Sequence, residues 1–332
     1  MSASSRPAQV LRLLLQAQAP RSGQEMGRLL GCSRAAVGKT VNLLREQGFV
    51  IAARPRLGYQ LVSEPEQVLP ARVEARLQGD ELGRPLLHFP EIDSTNLEAR
   101  RRAEAGAPHG TCLVAEHQSA GRGRLDRRWL APPGTCLLFS LILRPPHLGL
   151  HQVFGLTGLA ALALCRSLEE SGGPAPLIKW PNDLYLEGGK LAGILTEFTC
   201  RAERLEFVVV GVGLNVNLTP AQLKRLPAPA ASLRQATGKK WDRAALLARF
   251  LDQAGELYRM ALAEGWEELR REYQDRFLLA DKLVTVRDGD RVLKGRARGV
   301  DTVGALLLET EPGRVITVSH GDVSILAVED QA

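Results

Sequence analysis

Gln118-Ser-Ala-Gly-Arg-Gly-Arg-Leu-Asp-Arg-Arg-Trp129 is the densest chemical segment of this 332-residue chain. Gly121 and Gly123 let backbone approach a ligand closely. Arg122, Arg124, Arg127 and Arg128 supply forked donors suited to phosphate or carboxylate. Trp129 offers a flat face for a base. The segment fits a loop that meets nucleotide phosphate, although it has neither the GK[ST] of a P-loop nor the GxGxxG of a dinucleotide turn. A plain basic surface loop would have the same composition.

Four further clusters lie on either side of it. Lys179-Trp-Pro-Asn-Asp183 sets a lysine at a strand end, where it can meet an anion, followed by two turn-forming polar residues. An ordinary strand-to-turn junction would read the same way. Lys190-Leu-Ala-Gly-Ile-Leu195 brings a second lysine at the start of a small-residue strand. Gly211-Val-Gly-Leu-Asn-Val-Asn217 ends an apolar strand with glycines and two amides, as either a pocket wall or a sharp bend. Asp93-Ser-Thr-Asn96 is an N-cap cluster whose hydroxyls and amide are equally suited to a polar ligand group.

These clusters sit in a chain that reads as α+β. Strands are expected over Leu86–Phe89, Thr111–Glu116, Cys136–Leu143, Leu177–Trp180, Leu191–Phe198 and Phe207–Val212. Helices are expected over Asn96–Ala105, Val153–Glu170 and Arg243–Arg271. The end of the chain changes character. Leu283–Arg287, Val292–Ala297, Gly304–Glu309, Val315–Val318 and Val323–Val328 are short strands between Gly, Asp and Pro turns, the spacing of a small SH3-like β-barrel.

The first segment has a different pattern. Pro7–Gln18 is a mainly apolar helix. Ser22-Gly-Gln-Glu25 is a capping box opening a short helix that Gly31 ends. Ser33 caps Arg34–Gln47, whose Ala36, Val37, Val41 and Leu44 form a buried stripe. A hairpin with a basic tip, Arg54-Pro-Arg-Leu-Gly58, follows. This order is that of a winged helix-turn-helix. Ser33, Arg34, Lys39 and Asn42 would face the major groove, and Arg54 and Arg56 on the wing would reach phosphate. A small helical protein-interaction domain is the alternative. Ser63–Pro70 then reads as a polar, proline-bounded linker.

The charge distribution agrees with that division. The net charge is +6, yet residues 1–62 alone carry nine Lys/Arg and two acids, while the other 270 carry 34 basic and 35 acidic groups. The excess cations therefore belong to the first fifth of the chain, where they suit a polyanion, or simply an Arg-rich solvated surface. With 45% hydrophobic residues the chain has ample material for a core. Five scattered cysteines without CxxC spacing disfavour a disulfide framework or zinc site and fit a reducing cytoplasm. Val153–Cys165 is too short to span a bilayer and reads as a buried helix. No Cys or Ser nucleophile has a partner set. His88, His109, His117, His147, His151 and His320 sit in no metal-ligand pattern, so no fixed protein metal site is expected.

In this order and spacing, the Asp93–Asn96, Gln118–Trp129, Lys179–Asp183, Lys190–Leu195 and Gly211–Asn217 blocks resemble the biotin protein ligases. The N-terminal winged helix makes the chain similar to the bifunctional bacterial form that also represses the biotin operon. The likeness runs from about residue 8 to residue 328. It implies three domains: a winged helix-turn-helix over 1–64, a catalytic domain related to class II aminoacyl-tRNA synthetases, with a mixed sheet, over 65–274, and an SH3-like domain over 275–332. It implies two reaction steps, biotin plus ATP to biotinyl-5′-AMP and pyrophosphate with Mg²⁺, then attack by a lysine of the biotin carboxyl carrier protein, an acetyl-CoA carboxylase subunit.

Residue by residue, the resemblance puts Ser94, Thr95, Asn96 and Gln118 around the biotin rings. Arg122, Gly123 and Arg124 fall in a loop closing over biotin. Arg124, Arg127, Trp129, Lys179 and Asn215 fall on the adenylate. Lys179 and Lys190 neutralise phosphate and carboxylate, with Lys190 also counted at biotin. Asp183 stands near the incoming amine. Arg122, Arg124, Lys179, Asp183 and Lys190 form the implied catalytic set. The implied partners are operator DNA, the carrier protein and, once the adenylate is bound, a second copy through sheet edges of the central domain; no membrane is implied. Two departures stand out. Leu218–Gly238, expected to order over the adenylate, is Pro/Ala-rich and has no tryptophan for adenine, and Ser324-Ile-Leu-Ala-Val lacks a basic residue for the ATP site. A lipoate–protein ligase and a non-enzymatic ligand-sensing transcription factor are the alternatives.

Overall fold

A computed structural model describes residues 4–125, 127–146, 148–201 and 204–326. His147 and the last two positions of the expected strand Val323–Val328 lie outside them. The first element, α1 (Arg6–Leu15), is followed by α2 (Gly23–Leu29), α3 (Arg34–Glu46) and a hairpin of β1 (Val50–Arg54) and β2 (Gly58–Ser63). Ser33 caps α3 by accepting from Ala36 N at 3.1 Å. Ser22 accepts from Gln24 N at 3.2 Å rather than from Glu25 N as a capping box would have it. Val37, Val41 and Leu44 are fully buried with Val10, Leu11, Met26 and Ile51, so the expected stripe is the core of this module. Ala36 is only half-buried.

The segment after the hairpin is not a loose tether. Val68 is fully buried, and its N–H donates to Glu116 at 2.7 Å. Glu64 pairs with Arg72 and Arg76. A short helix, α4 (Pro70–Glu74), puts Ala71 and Ala75 into the hydrophobic core of the winged helix. From α1, the Arg12 guanidinium donates to the carbonyls of Glu74, Ala75 and Leu77 at 2.8–3.0 Å. Arg72 pairs with Asp242 at 2.8 Å, and Asp242 caps a helix of the central domain.

That domain is built on a seven-stranded mixed sheet. Its elements are β3 (Leu86–Phe89), α5 (Thr95–Glu104), β4 (Cys112–Ala115), β5 (Cys136–Leu143), α6 (Val153–Glu170), β6 (Leu177–Lys179), β7 (Asp183–Leu186), β8 (Gly189–Arg201), β9 (Arg204–Asn215), the short α7 (Pro220–Leu223) and α8 (Leu233–Thr237), then α9 (Arg243–Glu264) and α10 (Glu267–Asp275). The strand order is β3-β4-β5-β9-β8-β7-β6, with β3 and β4 parallel and the other pairs antiparallel. Every residue of β5 is buried, as a strand covered on both faces must be. The helices α6 and α9 pack on one face, and α5 packs with Leu113, Ile142, Phe207 and Val209 on the other. The long expected helix Arg243–Arg271 is two helices, because Gly265 takes φ +84° and ends the first. The short strand β7 was not expected: it begins on Asp183, the last residue of the Lys179–Asp183 turn signal.

The remaining strands, β10 (Leu283–Asp288), β11 (Arg291–Val300), β12 (Leu306–Glu311), β13 (Arg314–Val318) and β14 (Asp322–Ile325), form an antiparallel sheet in the order β13-β12-β11-β10-β14. Their buried Val284, Val286, Leu306 and Leu308 are continuous with the central core. Trp180 Nε1 donates across to Gly304 O at 2.9 Å. The expected α+β architecture is therefore present, with the helical and hairpin module, the mixed sheet and the terminal β unit in sequence.

Candidate functional site

The middle strands of the sheet form the floor of a cavity of about 760 Å³, within the usual range for a small-molecule site. Side chains two residues apart on a strand share a face, and on β9 this places Gly211, Gly213 and Asn215 in line. Each meets a neighbour across the register. In the first row Gly211 lies between Ser140 and Leu195; in the second Gly213 lies between Leu138 and Gly193; in the third Asn215 pairs with Cys136.

The glycines are there because something sits on them. A Cβ on Gly211 would be 1.8 Å from Asn96 Oδ1. A Cβ on Gly213 would be 2.5 Å from the Trp129 indole, and one on Gly193 would be 3.1 Å from it. Of the two readings open for the strand end, pocket wall or bend, the structure takes the wall. The Trp129 Nε1 is buried and has no hydrogen-bond partner among the described residues. In the third row the Asn215 amide donates to Lys190 O at 3.1 Å.

Asp93-Ser-Thr-Asn96 opens α5 beside the first row. Ser94 is at the N-cap, yet its hydroxyl makes no cap bond and remains on the cavity wall. Thr95 donates to Gln118 Oε1 through both its N–H, at 2.7 Å, and its hydroxyl, at 3.1 Å. Ser140 Oγ lies 2.8 Å from Thr95 Oγ1 and 2.6 Å from Asn96 Oδ1. The Asn96 amide donates to Leu195 O at 3.1 Å and Glu197 at 2.8 Å. Sequence reasoning missed Ser140 and Glu197. Ser140 is a lone hydroxyl in an apolar strand, and Glu197 lies just past the Lys190–Leu195 block.

The cations ring this floor. Arg122 donates to Glu197 at 3.1 Å. Arg124 donates to Asn182 at 3.3 Å and to Gly321 O at 3.0 Å, while Arg127 pairs with Asp322. Burial lowers the Arg124 pKa from its ordinary value, with Asp322 and Asp183 opposing the shift. Lys190 Nζ lies 2.7 Å from Asp183 and 5.7 Å from the Trp129 ring centre. Lys179 sits over the Tyr185 ring at 5.2 Å. Gly123 completes the wall. All thirteen biotin, adenylate and catalytic candidates from Ser94 to Asn215 line this one cavity.

Two departures acquire a structural meaning here. The Pro/Ala-rich segment covers one side of the cavity through Leu226–Ala230, and Lys190 is bracketed by it: its N–H donates to Pro229 O at 3.1 Å and its carbonyl accepts from Ala231 N at 3.0 Å. The terminal β unit reaches the site with Gly321, Asp322 and Val323, so its contribution is a carbonyl and an acid instead of a base. The DNA candidates lie elsewhere: Ser33, Arg34, Lys39 and Asn42 are exposed on α3, and Arg54 and Arg56 are exposed at the hairpin tip.

Comparison with known proteins gives three family matches along the chain: an HTH domain over residues 6–60, the biotin/lipoate A/B protein ligase family over 89–215, and the biotin protein ligase C terminal domain over 281–326. The bifunctional ligase/repressor BirA of Bacillus subtilis is 36% identical over 293 residues, 88% of this chain and 90% of the relative. The chain belongs to the bifunctional biotin ligase/repressor family. The Escherichia coli member is 34% identical over 97% of this chain and 98% of its own length. Among solved structures, a biotin protein ligase from Aquifex aeolicus in complex with biotin and ATP superposes with a TM-score of 0.63 at 30% identity, over 73% of this chain and all of that one. The matched residues 89–215 hold three buried thiols, Cys112 and Cys136 on the sheet and Cys165 on α6, and burial opposes their ionisation: it pushes Cys136 up to about 11 and Cys165 up to about 12, and raises Cys112 further. The ligase's cavity is instead lined by amides, hydroxyls, cations, the Trp129 indole and the carboxylates of Asp183 and Asp322.

Proposed function

We propose that the cavity binds biotin and ATP together and condenses them to biotinyl-5′-AMP, then passes the acyl group to a lysine of the biotin carboxyl carrier protein. The observation that carries this is the row arrangement. A polar recess at Ser94, Thr95, Asn96 and Gln118 adjoins an indole on a glycine floor, with Arg122, Arg124, Lys179 and Lys190 around them. A cyclic urea suits the recess and a purine suits the indole, whose buried and unpartnered N–H is available to a ligand. The biotin carboxylate attacks the ATP α-phosphorus and pyrophosphate leaves. Arg122 and Lys190 neutralise the charge that builds on phosphorus, and Arg124, Arg127 and Lys179 face the departing phosphates. Mg²⁺ bound with ATP would supply further neutralisation of phosphate charge. In the second step Asp183, 2.7 Å from Lys190, orients the incoming lysine amine and takes its proton as the amine attacks the acyl carbon and the acyl–phosphate bond breaks to release AMP. Positioning and charge do the work, so no enzyme nucleophile is required.

The domain limits 1–64, 65–274 and 275–332 belong to the same proposal, as does a cytoplasmic location; no helix among the described residues is long and apolar enough to cross a membrane. The winged helix reads operator DNA through α3 and the hairpin tip. Dimerisation brings two such readers to two half-sites. Beyond Ile194, β8 runs past the end of β7, leaving an edge that another strand can extend, and Phe198 on it is exposed. The carrier protein would compete for the same surface.

Purified protein, ATP, radiolabelled biotin and a carrier domain test the catalytic half. Label on the carrier lysine is expected, and none would refute it. Lys190→Ala should depress biotin-dependent ATP–pyrophosphate exchange by about a hundredfold or more. Gel shifts on biotin-operon DNA test the regulatory half: binding that does not respond to biotin plus ATP would refute it.

A further inference from the structure

Glu197 stands on the same face of β8 as Gly193 and Leu195, just beyond the cavity wall. Its two oxygens have different partners. One accepts from the Asn96 amide at 2.8 Å, the other from the Arg122 guanidinium at 3.1 Å. The Asn96 side chain is thereby used up within the protein. Both amide hydrogens go to Glu197 and Leu195 O, its oxygen faces Ser140, and the residue is only 4% exposed. Asn96 is also pinned over Gly211, where no other residue type leaves room.

Resting on the reading that the cavity takes biotin, we propose that Glu197 is a positioning residue which couples the recess to the arginine loop, and that Asn96 acts through it. Asn96 fixes the Glu197 carboxylate, and the carboxylate fixes Arg122 above the recess. Loop order and ring recognition are then one connected hydrogen-bond chain running Ser140–Asn96–Glu197–Arg122. A carboxylate is the group this place requires, because two donors converge on it. A carboxamide has one acceptor oxygen and would turn its NH₂ toward the other donor.

The test uses the full chain in two assays. In biotin-dependent ATP–pyrophosphate exchange, Glu197→Ala should lower kcat/KM for biotin by about tenfold, the scale of a lost charge-assisted hydrogen bond. Glu197→Gln, closer in shape and a safeguard if the alanine variant folds poorly, should fall between it and the unaltered chain. Combining Glu197→Ala with Arg122→Ala should cost no more than Arg122→Ala alone, whereas a purely structural residue would give effects that multiply. In limited trypsinolysis without ligand, Glu197→Ala should speed cleavage after Arg122 and Arg124. Unchanged cleavage, or independent effects of the two substitutions, would overturn the proposal. Faster cleavage in a chain that shows no biotin-dependent exchange would instead leave the coupling standing and defeat the biotin reading.

Discussion

Gly213→Ala adds a single carbon to the floor of the cavity. That carbon would stand 2.5 Å from Trp129 Cε2 and 2.9 Å from Cδ2 and Cζ2. Carbon pairs settle near 3.5–4.0 Å, so the indole must rise by about 1 Å. The backbone that carries it is held, since the Trp129 main-chain N–H donates to Gly121 O at 3.0 Å. Overpacking of this kind costs about 1–3 kcal/mol, or roughly 5- to 150-fold in an equilibrium. If the indole is the adenine platform, most of that appears as a higher KM for ATP, with KM for biotin changing by less than about threefold on the same scale. ATP–pyrophosphate exchange titrated in each substrate measures both, and a thermal melt checks the fold. Gly211→Ala provides the internal contrast. It sits two residues away on the same face and strikes Asn96 rather than Trp129, so its effect should fall on biotin. A Gly213→Ala enzyme with an unchanged KM for ATP, or the two variants producing the same pattern, would refute the assignment of rows to ligands.

Other outcomes follow from charge. Burial opposes ionisation of Glu116, but the hydrogen bond from His88, the Arg243 charge and the Val68 N–H outweigh it and hold the carboxyl at about 2 against an ordinary 4.5. Its stabilisation, about 3 kcal/mol, is therefore complete above pH 4.5 and disappears as pH falls through 2. Denaturant melts of Glu116→Gln should show a deficit at pH 7 that narrows on acidification; a deficit independent of pH would contradict this. Asp322→Ala removes an exposed partner from Arg127, so the melting temperature should hardly move, while KM for ATP should fall by about two- to fivefold as Arg127 is freed for phosphate. A rise would mean that the pair holds the loop in place. Lys39→Ala should weaken operator binding at all sequences and reduce the salt slope by about 1 if it meets phosphate, measured by titration at several salt concentrations.

The sequence carried the helices and strands that have a strong period or a clear cap. β3, β5 and α6 begin and end where their apolar runs do, and Ser33 caps α3. The site was legible where chemistry-bearing residues are consecutive, as in Gln118–Trp129 and Lys179–Asp183. What it did not carry depends on register. Nothing in the order of residues says that Gly211 lies beside Ser140, or that Gly193 and Gly213 share one indole, because these neighbours come from three strands. Glu197 and Ser140 were missed for that reason. β7 was hidden because it is four residues long and starts inside a turn signal, at Asp183, and one glycine with positive φ at 265 divided an otherwise continuous helical pattern. The linker looked loose because it is polar, although its acids and Val68 are tied to Arg72, Arg76 and Glu116.

The packing of α4 also bears on modular inheritance. Ala71 and Ala75 complete the hydrophobic centre of the reader, while Arg72 and Asp242 bind the same short helix to the enzyme body. Five residues, Pro70–Glu74, thus have two owners. A recombination joint placed upstream of Pro70 would deliver a reader lacking part of its own interior and an enzyme displaying an orphaned apolar strip. A joint placed after Leu77 would carry the plug, and the Arg12 anchor points at Glu74, Ala75 and Leu77, across intact. The exposed face of α3 takes no part in this junction, so operator preference can drift by surface substitution while the seam between the two functions stays unaltered.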